Sequence, residues 1–405
     1  MDFSLLEHPD DFFRDFFTSC LLYLSPPDLK ACRQVCVLWN EIILERVWHN
    51  KVNRAKLEAR LVQRWMKTDP EVKEIGKTSG EVDFLYANNK HIFCGQKYGV
   101  IGVFTLGGEW VRNLNYDSFC DLWSLVGGKN IVAAVTTVFS SMAVTVWSTS
   151  EEMVREHVLN LVGTAPKSVI CVSNTLAQRV VILVDKDDGL RSLVVTEKNE
   201  EGTWEDKTWG SIPKEDDYLL FNVPLMAGEG DLVAVAWGRH RQTGEDHEIS
   251  TVVAFWQGGQ RLADVILPKG GQGVAGIVLE ESKLVLDHCT REMRVYQVSC
   301  LNGSGRIRLD LIKRIKAGSS ALINSNNFFS NNKTIFGRTM VGRGVFLFET
   351  KKLPDLAAGF KVLQLPKFLN ACISFNCSQI VFVQNRAGAG PGTLYVKDFW
   401  MGNED

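Results

Sequence analysis

Two rhythms of apolar and polar positions divide the 405-residue chain. Up to about residue 70, apolar positions recur every three or four residues, a spacing that lines one face of a helix. From Val72 onward, short runs of Val, Ile, Phe and Leu end at Gly, Asn, Asp or Ser, which is typical of strands joined by turns. The pattern predicts a small helical region followed by a large β region.

The stretch 12–48 predicts three short helices. The first would carry a wide apolar stripe, and Ser25-Pro26-Pro27-Asp28 would start the second with a capping serine, first-turn prolines and an acidic residue. The apolar positions are Phe13, Phe16, Phe17, Cys20, Leu21 and Leu24 in the first helix, Leu29, Cys32, Val35, Cys36 and Trp39 in the second, and Ile42, Ile43, Val47 and Trp48 in the third. A stretch of fewer than forty residues cannot bury all these side chains within itself. We therefore expect another domain or another protein to cover them.

Residues 50–70 predict a basic linker helix. Six cations alternate with apolar residues in a helical rhythm: Lys51, Arg54, Lys56, Arg60, Arg64 and Lys67. We interpret it as a solvated helix whose apolar stripe packs on its neighbours. The alternative, a helix that binds membranes or nucleic acid, has no support elsewhere in the chain. Pro70 ends the helix, because the residue before a proline avoids the helical conformation.

One apolar marker, often aromatic, recurs before a polar turn throughout the β region. Its copies lie at Phe104, Trp147, Val195, Trp256, Tyr296, Phe348 and Val396, at intervals close to the period of propeller blades. Two strand-like runs precede each marker and a further run follows it, and four strands form one blade. The sequence therefore predicts a β-propeller of about seven blades, with a β-sandwich as the structural alternative.

The last predicted blade stops soon after its third strand, at Val396–Trp400. An open sheet edge is a pairing hazard, so the missing strand must come from elsewhere in the chain. The segment 71–76, just before the first blade, is the predicted donor.

The helical stretch resembles an F-box, a short module that binds the small adaptor subunit of SCF-type cullin–RING ubiquitin ligases. The resemblance lies in the turn Leu24-Ser-Pro-Pro-Asp-Leu29, in Val35-Cys-Val-Leu-Trp39 and in Val47-Trp48, although Phe12-Phe13 replaces the Leu-Pro that usually opens the family. The β region resembles WD-repeat propellers only in architecture, since no marker retains a Trp-Asp pair. The implied fold class is α+β multidomain, with an F-box at 1–49, the linker helix at 50–70 and the propeller at 71–405.

The resemblance implies a non-catalytic substrate-recognition subunit of a ubiquitin ligase, bound through the adaptor to cullin, in the cytoplasm or nucleus. The residues expected to contact the adaptor are Phe13, Phe16, Phe17, Leu21, Leu24, Pro26, Leu29, Val35 and Trp39. The propeller would hold a protein substrate. Two alternatives remain: a propeller scaffold without a role in ubiquitin transfer, and an enzyme with its site in the central channel.

The loops between second and third strands share one face of WD-type propellers. Cations recur there in every predicted blade except the second: Lys97, Lys186, Arg239, Arg241, Arg291, Arg343 and Arg386. A ring of guanidinium groups can bind phosphate or carboxylate, so we expect an acidic or phosphorylated segment of the substrate as the ligand. The competing interpretation is an ordinary charged surface, because Asp188 and Glu292 lie beside two of these cations.

Composition and motifs exclude several other functions. A net charge of −2 argues against a nucleic-acid surface, and no run is apolar enough to span a membrane. Without a signal pattern at the N-terminus, the ten cysteines read as reduced core residues. Gly271-Gln-Gly-Val-Ala-Gly276 matches a dinucleotide fingerprint, but a strand rather than a helix is expected after it. We expect no cofactor and no metal site.

Overall fold

The computed structural model describes most of the propeller region and much of the helical region. The described residues are 11–24, 26–48, 50, 52–53, 63–65, 69–96, 99–116, 120–128, 130–139, 141–173, 178–186, 188–213, 224–243, 246–267, 274–280, 282–288, 292–301, 306–316, 329–331, 334–338, 344–349, 360–364, 371–375, 379–385 and 390–399. Contacts within the chain divide it into two units. The first contains Met1–Glu71 together with Asp398–Asp405, and the second contains Val72–Lys397.

The first unit begins with three short helices, as predicted. They are α1 (Asp11–Leu21), α2 (Pro26–Cys32) and α3 (Val37–Ile42), and the chain continues from α3 as a π-helix over Ile43–Trp48. The prediction that the second helix reaches Trp39 is wrong, since a turn over residues 33–35 separates α2 from α3. Cys36 causes the restart: it is extended, and its Sγ accepts the backbone N–H of Trp39 at 3.5 Å, which caps α3.

A small hydrophobic core holds the helices of the first unit together. Five buried side chains form it, contributed by the end of α1, by α2, by the junction of α3 with the π-helix and by the π-helix: Leu21, Leu29, Ile42, Ile43 and Val47. Of the predicted linker helix, the described residues 52–53 and 63–65 are helical.

The described residues of the second unit form seven antiparallel sheets of four strands, and we number them as blades 1 to 7. Blade 1 contains β2 (Phe84–Ala87), β3 (His91–Gly95), β4 (Val100–Thr105) and β5 (Trp110–Asn115). Blade 2 contains β6 (Asp121–Gly127), β7 (Ile131–Val138), β8 (Ser141–Ser148) and β9 (Arg155–Val162). Blade 3 contains β10 (Thr164–Ser173), β11 (Gln178–Lys186), β12 (Leu190–Lys198) and β13 (Trp204–Pro213).

The remaining blades follow the same order along the chain. Blade 4 contains β14 (Leu225–Glu229), β15 (Leu232–Thr243), β16 (Asp246–Gln257) and β17 (Gln260–Leu267). Blade 5 contains β18 (Val274–Glu280), β19 (Lys283–His288), β20 (Glu292–Leu301) and β21 (Arg306–Lys316). Blade 6 contains β22 (Phe329–Asn331), β23 (Thr334–Arg338), β24 (Gly344–Glu349) and β25 (Phe360–Gln364). Blade 7 contains β26 (Ala371–Phe375), β27 (Gln379–Gln384), β28 (Thr393–Asp398) and, from the start of the unit, β1 (Lys73–Lys77).

The recurring marker identifies the third strand of every blade. All seven predicted copies lie there, in β4, β8, β12, β16, β20, β24 and β28. Where the structure describes their side chains these markers are buried, with Trp147 3% exposed and Trp256 fully buried. The prediction of seven four-stranded blades is therefore confirmed.

The cores of this unit lie between consecutive blades. One cluster joins side chains of blades 1 and 2, and others join blades 2 and 3, blades 3 and 4, and blades 4 and 5. A further cluster joins blade 7 to blade 1, with Val383 and Leu394 packed among Ile92, Cys94 and Phe104. Face-to-face packing of neighbouring sheets in this sequence is the arrangement of a propeller.

The N-terminal strand closes the ring as predicted. β1 pairs antiparallel with β28, with Lys73 opposite Val396 and Lys77 opposite Thr393. Thr78 continues this join, because its backbone N–H donates to the carbonyl of Gly392 at 2.9 Å. The third strand of blade 7 therefore has a neighbour on both sides, and its edge is not left open.

Candidate functional site

The first unit exposes large apolar side chains around its small core. Phe16 on α1 is 61% exposed, Tyr23 just after α1 is 68% exposed, and Val35 in the turn between α2 and α3 is 63% exposed. Phe17 and Trp39 are half-buried, and their ring centroids lie 4.7 Å apart. We call Phe16, Phe17, Tyr23, Val35 and Trp39 the helical-unit surface.

The residues predicted to bind an adaptor fall into three groups. Phe16, Phe17, Val35 and Trp39 belong to the helical-unit surface, and Leu24 is half-buried. Leu21 is 2% exposed and Leu29 is fully buried, so both stabilise the core and offer almost no surface to a partner. Phe13 and Pro26 lie in α1 and α2, but their side chains are outside the described residues.

The sequence predicts a ring of cations at the end of the blades where second and third strands are joined. We call this end the hairpin face. Four of the predicted cations lie outside the described residues: Lys97, Arg291, Arg343 and Arg386. Lys186 ends β11 and is half-buried, and Arg239 is exposed on β15.

The prediction that Arg239 and Arg241 lie in a loop is wrong, because both belong to β15. The hairpin of β15 and β16 is twelve residues long on each side, with Arg239 opposite Ser250 and Arg241 opposite Glu248. β14 pairs only with residues 232–236 of this hairpin, and β17 only with residues 251–257. Among the described residues, the hairpin therefore extends beyond its two neighbouring strands, and Arg239 is exposed on this extension.

A buried ion pair lies under the hairpin face in blade 3. Arg191 and Asp185 are 2% and 7% exposed, and the Arg191 Nε donates to Asp185 Oδ1 at 2.7 Å. Lys167 Nζ approaches the other carboxylate oxygen at 3.3 Å. Burial alone would raise the pKa of Asp185, but the hydrogen bond and charge of Arg191, together with Lys167, hold that pKa below its ordinary value. This arginine is committed to an internal acid.

Blade 5 repeats this arrangement with different residues. Arg294 is 2% exposed, and its Nε donates to Glu292 Oε1 at 2.7 Å. Arg314 is more exposed and lies 3.7 Å from the same oxygen. Burial would raise the pKa of Glu292, but the two arginines lower it. Nearby in sequence, burial raises the pKa of Asp287 to about 7.

Sequence reasoning missed two features of the hairpin face. Asp185 and Arg191 bracket the hairpin turn of blade 3, and opposite charges across a turn were the available signal. Glu292 and Arg294 both lie on β20, just after the turn of blade 5, and the spacing of acid and base along one strand was the signal. Phe139, at the turn of blade 2, was also missed, although an aromatic residue beside Ser140 and Ser141 stands out among turn residues.

Neither a metal site nor a membrane-spanning helix is found in the described part of the chain. Cys20 and Cys36 are exposed, contrary to the expectation that the cysteines are core residues. The glycine motif runs directly into strand β18 (Val274–Glu280), which contains its last three residues, so a strand follows the glycines as expected. A helix N-terminus that could hold a pyrophosphate is thus missing there.

Comparison with solved structures bears on the second unit. The β-propeller domain of Cps50 (Swd1) from Myceliophteria thermophila superposes with a TM-score of 0.54 at 12% identity, over 81% of this chain and 99% of that one. The second unit is a WD40-like β-propeller. The computationally designed Ika8 protein matches with a TM-score of 0.47 at 14% identity, over 80% of this chain and 99% of that one. A chain of the mitotic checkpoint complex matches with a TM-score of 0.48 at 8% identity, over 81% of this chain and 93% of that one.

Comparison at the level of sequence finds no relative. No protein-family model matches the chain. No curated protein matches it either. The WD40-like propeller is therefore known from its architecture.

Proposed function

We propose that this chain is the substrate-recognition subunit of an SCF-type ubiquitin ligase. Its first unit would bind the adaptor and, through it, cullin, and its propeller would hold the substrate protein. The observation that supports this most is the helical-unit surface. Its large apolar residues stand at F-box positions, and Phe16, Tyr23 and Val35 among them are exposed on a unit that already has its own core.

The division of the predicted adaptor-binding residues into buried and exposed ones indicates which of them would contact the adaptor directly. Phe16 and Val35 expose most of their apolar area, so burying them against a partner would supply much of the binding energy. Leu21 and Leu29 would contribute indirectly by holding α1 and α2 in place. We therefore assign adaptor binding to Phe16, Phe17, Val35 and Trp39, and add Tyr23.

The propeller would act as the substrate holder through its hairpin face. Arg239 is exposed on the extended hairpin of blade 4, and Arg241 follows it on the same strand. Guanidinium groups suit carboxylate or phosphate on a peptide. The buried Arg191 and Arg294 are paired with acids inside the blades, which leaves them to stabilise the fold.

Such a receptor would contribute to ubiquitin transfer without catalytic groups of its own. By binding the ligase and the substrate at once, it raises the effective concentration of substrate lysines near the charged conjugating enzyme. We expect it to act in the cytoplasm or the nucleus, with neither nucleic acid nor membrane as a partner.

The experiment is a co-purification of the full chain with purified adaptor. Phe16→Asp and Val35→Asp should each abolish retention while leaving the fold intact, because both side chains are exposed. Val52→Asp is the matched control, since Val52 is 65% exposed in the same unit but lies outside the helical-unit surface. If all three variants were retained like the wild type, the helical unit would not be an adaptor-binding module, and a propeller scaffold without a role in ubiquitin transfer would explain the chain better.

A further inference from the structure

Phe139 combines two costly features in one residue. Its side chain is fully exposed, and its backbone has φ of 50°, in the left-handed region. Val138 pairs with Ser141, so Phe139 lies in the two-residue connection between β7 and β8. Such turns favour Asn-Gly, and a bulky side chain is strained there. Neither the fold nor solubility benefits from phenylalanine at this position.

Two more exposed apolar side chains lie near Phe139 on the hairpin face. Val162 at the end of β9 is 81% exposed, and Leu190 at the start of β12 is 40% exposed. Ser141 pairs with Val162, which places those Cα atoms about 5 Å apart, and Phe139 is two residues from Ser141. Phe139 and Val162 therefore lie within ~12 Å of each other.

Lys186 lies between Val162 and Leu190 along this path. Gly163 alone separates Val162 from Thr164, and Thr164 pairs with Lys186, so Lys186 is also within ~12 Å of Val162. Lys186 and Leu190 flank the turn that the N–H of Gly189 closes on the carbonyl of Lys186. Phe139, Val162, Lys186 and Leu190 form a strip across blades 2 and 3, which we call the docking strip.

The cation in the docking strip is Lys186, and the carboxylate of Asp188 in the same turn accepts the backbone N–H of Leu190 at 2.9 Å. Lys167, Arg191 and Asp185 beneath it are engaged with one another, and among the described residues Lys186 has no ion-pair partner. Apolar side chains on either side lower the local dielectric, which strengthens an ion pair made there with an incoming acid. The strip is complementary to a ligand with an acidic centre and apolar flanks.

We propose that the docking strip binds an extended segment of the substrate protein in which one acidic residue lies between two large apolar residues. The apolar side chains would cover Phe139 with Val162 on one side and Leu190 on the other, and the acid would pair with Lys186. This inference rests on one part of the proposed function, the assignment of substrate binding to the propeller. It does not depend on adaptor binding.

The test uses the full chain and a library of short random peptides displayed on phage. Selected peptides are synthesised and titrated by fluorescence anisotropy against the wild type, Phe139→Asn, Leu190→Ser and Lys186→Glu. Phe139→Asn is the informative variant. Asparagine suits the left-handed turn, so this variant should melt at the same temperature as the wild type or higher, and any loss of binding comes from the lost aromatic ring.

The expected result is that selected peptides share an acidic residue between apolar residues. They should lose at least about tenfold in affinity for Phe139→Asn and for Leu190→Ser, and Lys186→Glu should prefer the same peptides with lysine in place of the acid. Trp110→Thr, which removes an exposed aromatic residue from the outer strand of blade 1, should bind like the wild type. Equal binding by Phe139→Asn and the wild type, or no peptide enriched at all, would overturn the proposal. Adaptor co-purification is measured separately, so failure here leaves the assignment of the helical unit intact.

Discussion

The rings of Trp65 and Phe399 stack with their centroids 3.8 Å apart and their planes 22° apart. Each side chain is 1% exposed. Phe399 comes directly after β28, and Trp65 lies in the helical stretch 63–65, yet both belong to the first unit. The chain therefore returns after its last strand to the unit in which it began.

Phe399→Ala should loosen the first unit. Removing a buried aromatic ring costs about 3 kcal/mol or more, because the lost burial adds to the cavity left behind. Hydrogen exchange measured by mass spectrometry should show faster exchange around residues 63–65. Phe16→Ala is the control in the same unit, since Phe16 is 61% exposed and its removal should leave exchange unchanged. Equal exchange in the two variants would mean that the stack does not stabilise the unit.

Gly76→Ala should weaken the closure of the propeller. A Cβ at position 76 would lie 2.6 Å from the carbonyl oxygen of Gly108, a backbone atom that cannot turn aside. We expect a loss of about 1–3 kcal/mol in the free energy of unfolding, measured with urea. At Gly107 the nearest atom to a new Cβ is the Thr105 Oγ1 at 3.7 Å, so Gly107→Ala should change stability by less than about 0.5 kcal/mol. A Gly76→Ala variant as stable as Gly107→Ala would contradict this account of the closure.

Removing one partner of the Asp185–Arg191 ion pair in blade 3 should lower the free energy of unfolding more than replacing both partners by apolar residues. Asp185→Leu leaves the Arg191 guanidinium buried without its acid, which should cost about 3–5 kcal/mol. Adding Arg191→Met removes the buried positive charge and should recover most of the lost stability. Lys167, which also contacts Asp185, is partly exposed, so its charge can be hydrated by water in the double variant. Urea unfolding of the two single variants and the double variant gives the coupling energy. Simple additivity of the two substitutions would argue against the pair.

Asp287 should make stability fall as the pH rises. Its pKa in the folded chain is about 7, against an ordinary value of 3.8, so between these values the folded state holds a proton that the unfolded state has released. Folding is therefore progressively penalised from about pH 4 to about pH 7, the penalty being complete above that range. Asp287→Asn should match the wild type near the lower limit and exceed it by ~2–4 kcal/mol at pH 8. Thermal melts across the range test this, and parallel pH profiles for the two proteins would refute it.

Much of the propeller could be predicted because its signal is repeated. The marker in Phe104, Trp147, Val195 and their counterparts reports burial in the third strand of each blade, and the period identifies the blade. The closing strand followed from a count of strands, since a blade that ends at its third strand requires a donor. These features depend on local pattern and on the rule that edges must be covered.

The candidate sites depended on contacts that no local pattern contains. Apolar spacing alone could not tell Leu29, which is buried, from Phe16, which is exposed, since both belong to an amphipathic stripe. Cys36 caps α3 through its thiol, an uncommon cap that the helical spacing does not reveal. The stack of Trp65 on Phe399 joins residues that are more than 300 positions apart in the sequence.

The length of the blade 4 hairpin could not be predicted either, because its outer half is polar and lacks the apolar alternation that indicates a strand.

The most direct test of the receptor assignment is a calorimetric titration of the full chain with purified adaptor. The account predicts one-to-one binding with Kd below about 1 μM for the wild type and for Val52→Asp, and a loss of at least about tenfold for Phe16→Asp and Val35→Asp. No binding by a wild-type chain that circular dichroism shows to be folded would contradict the account, and the scaffold interpretation would replace it.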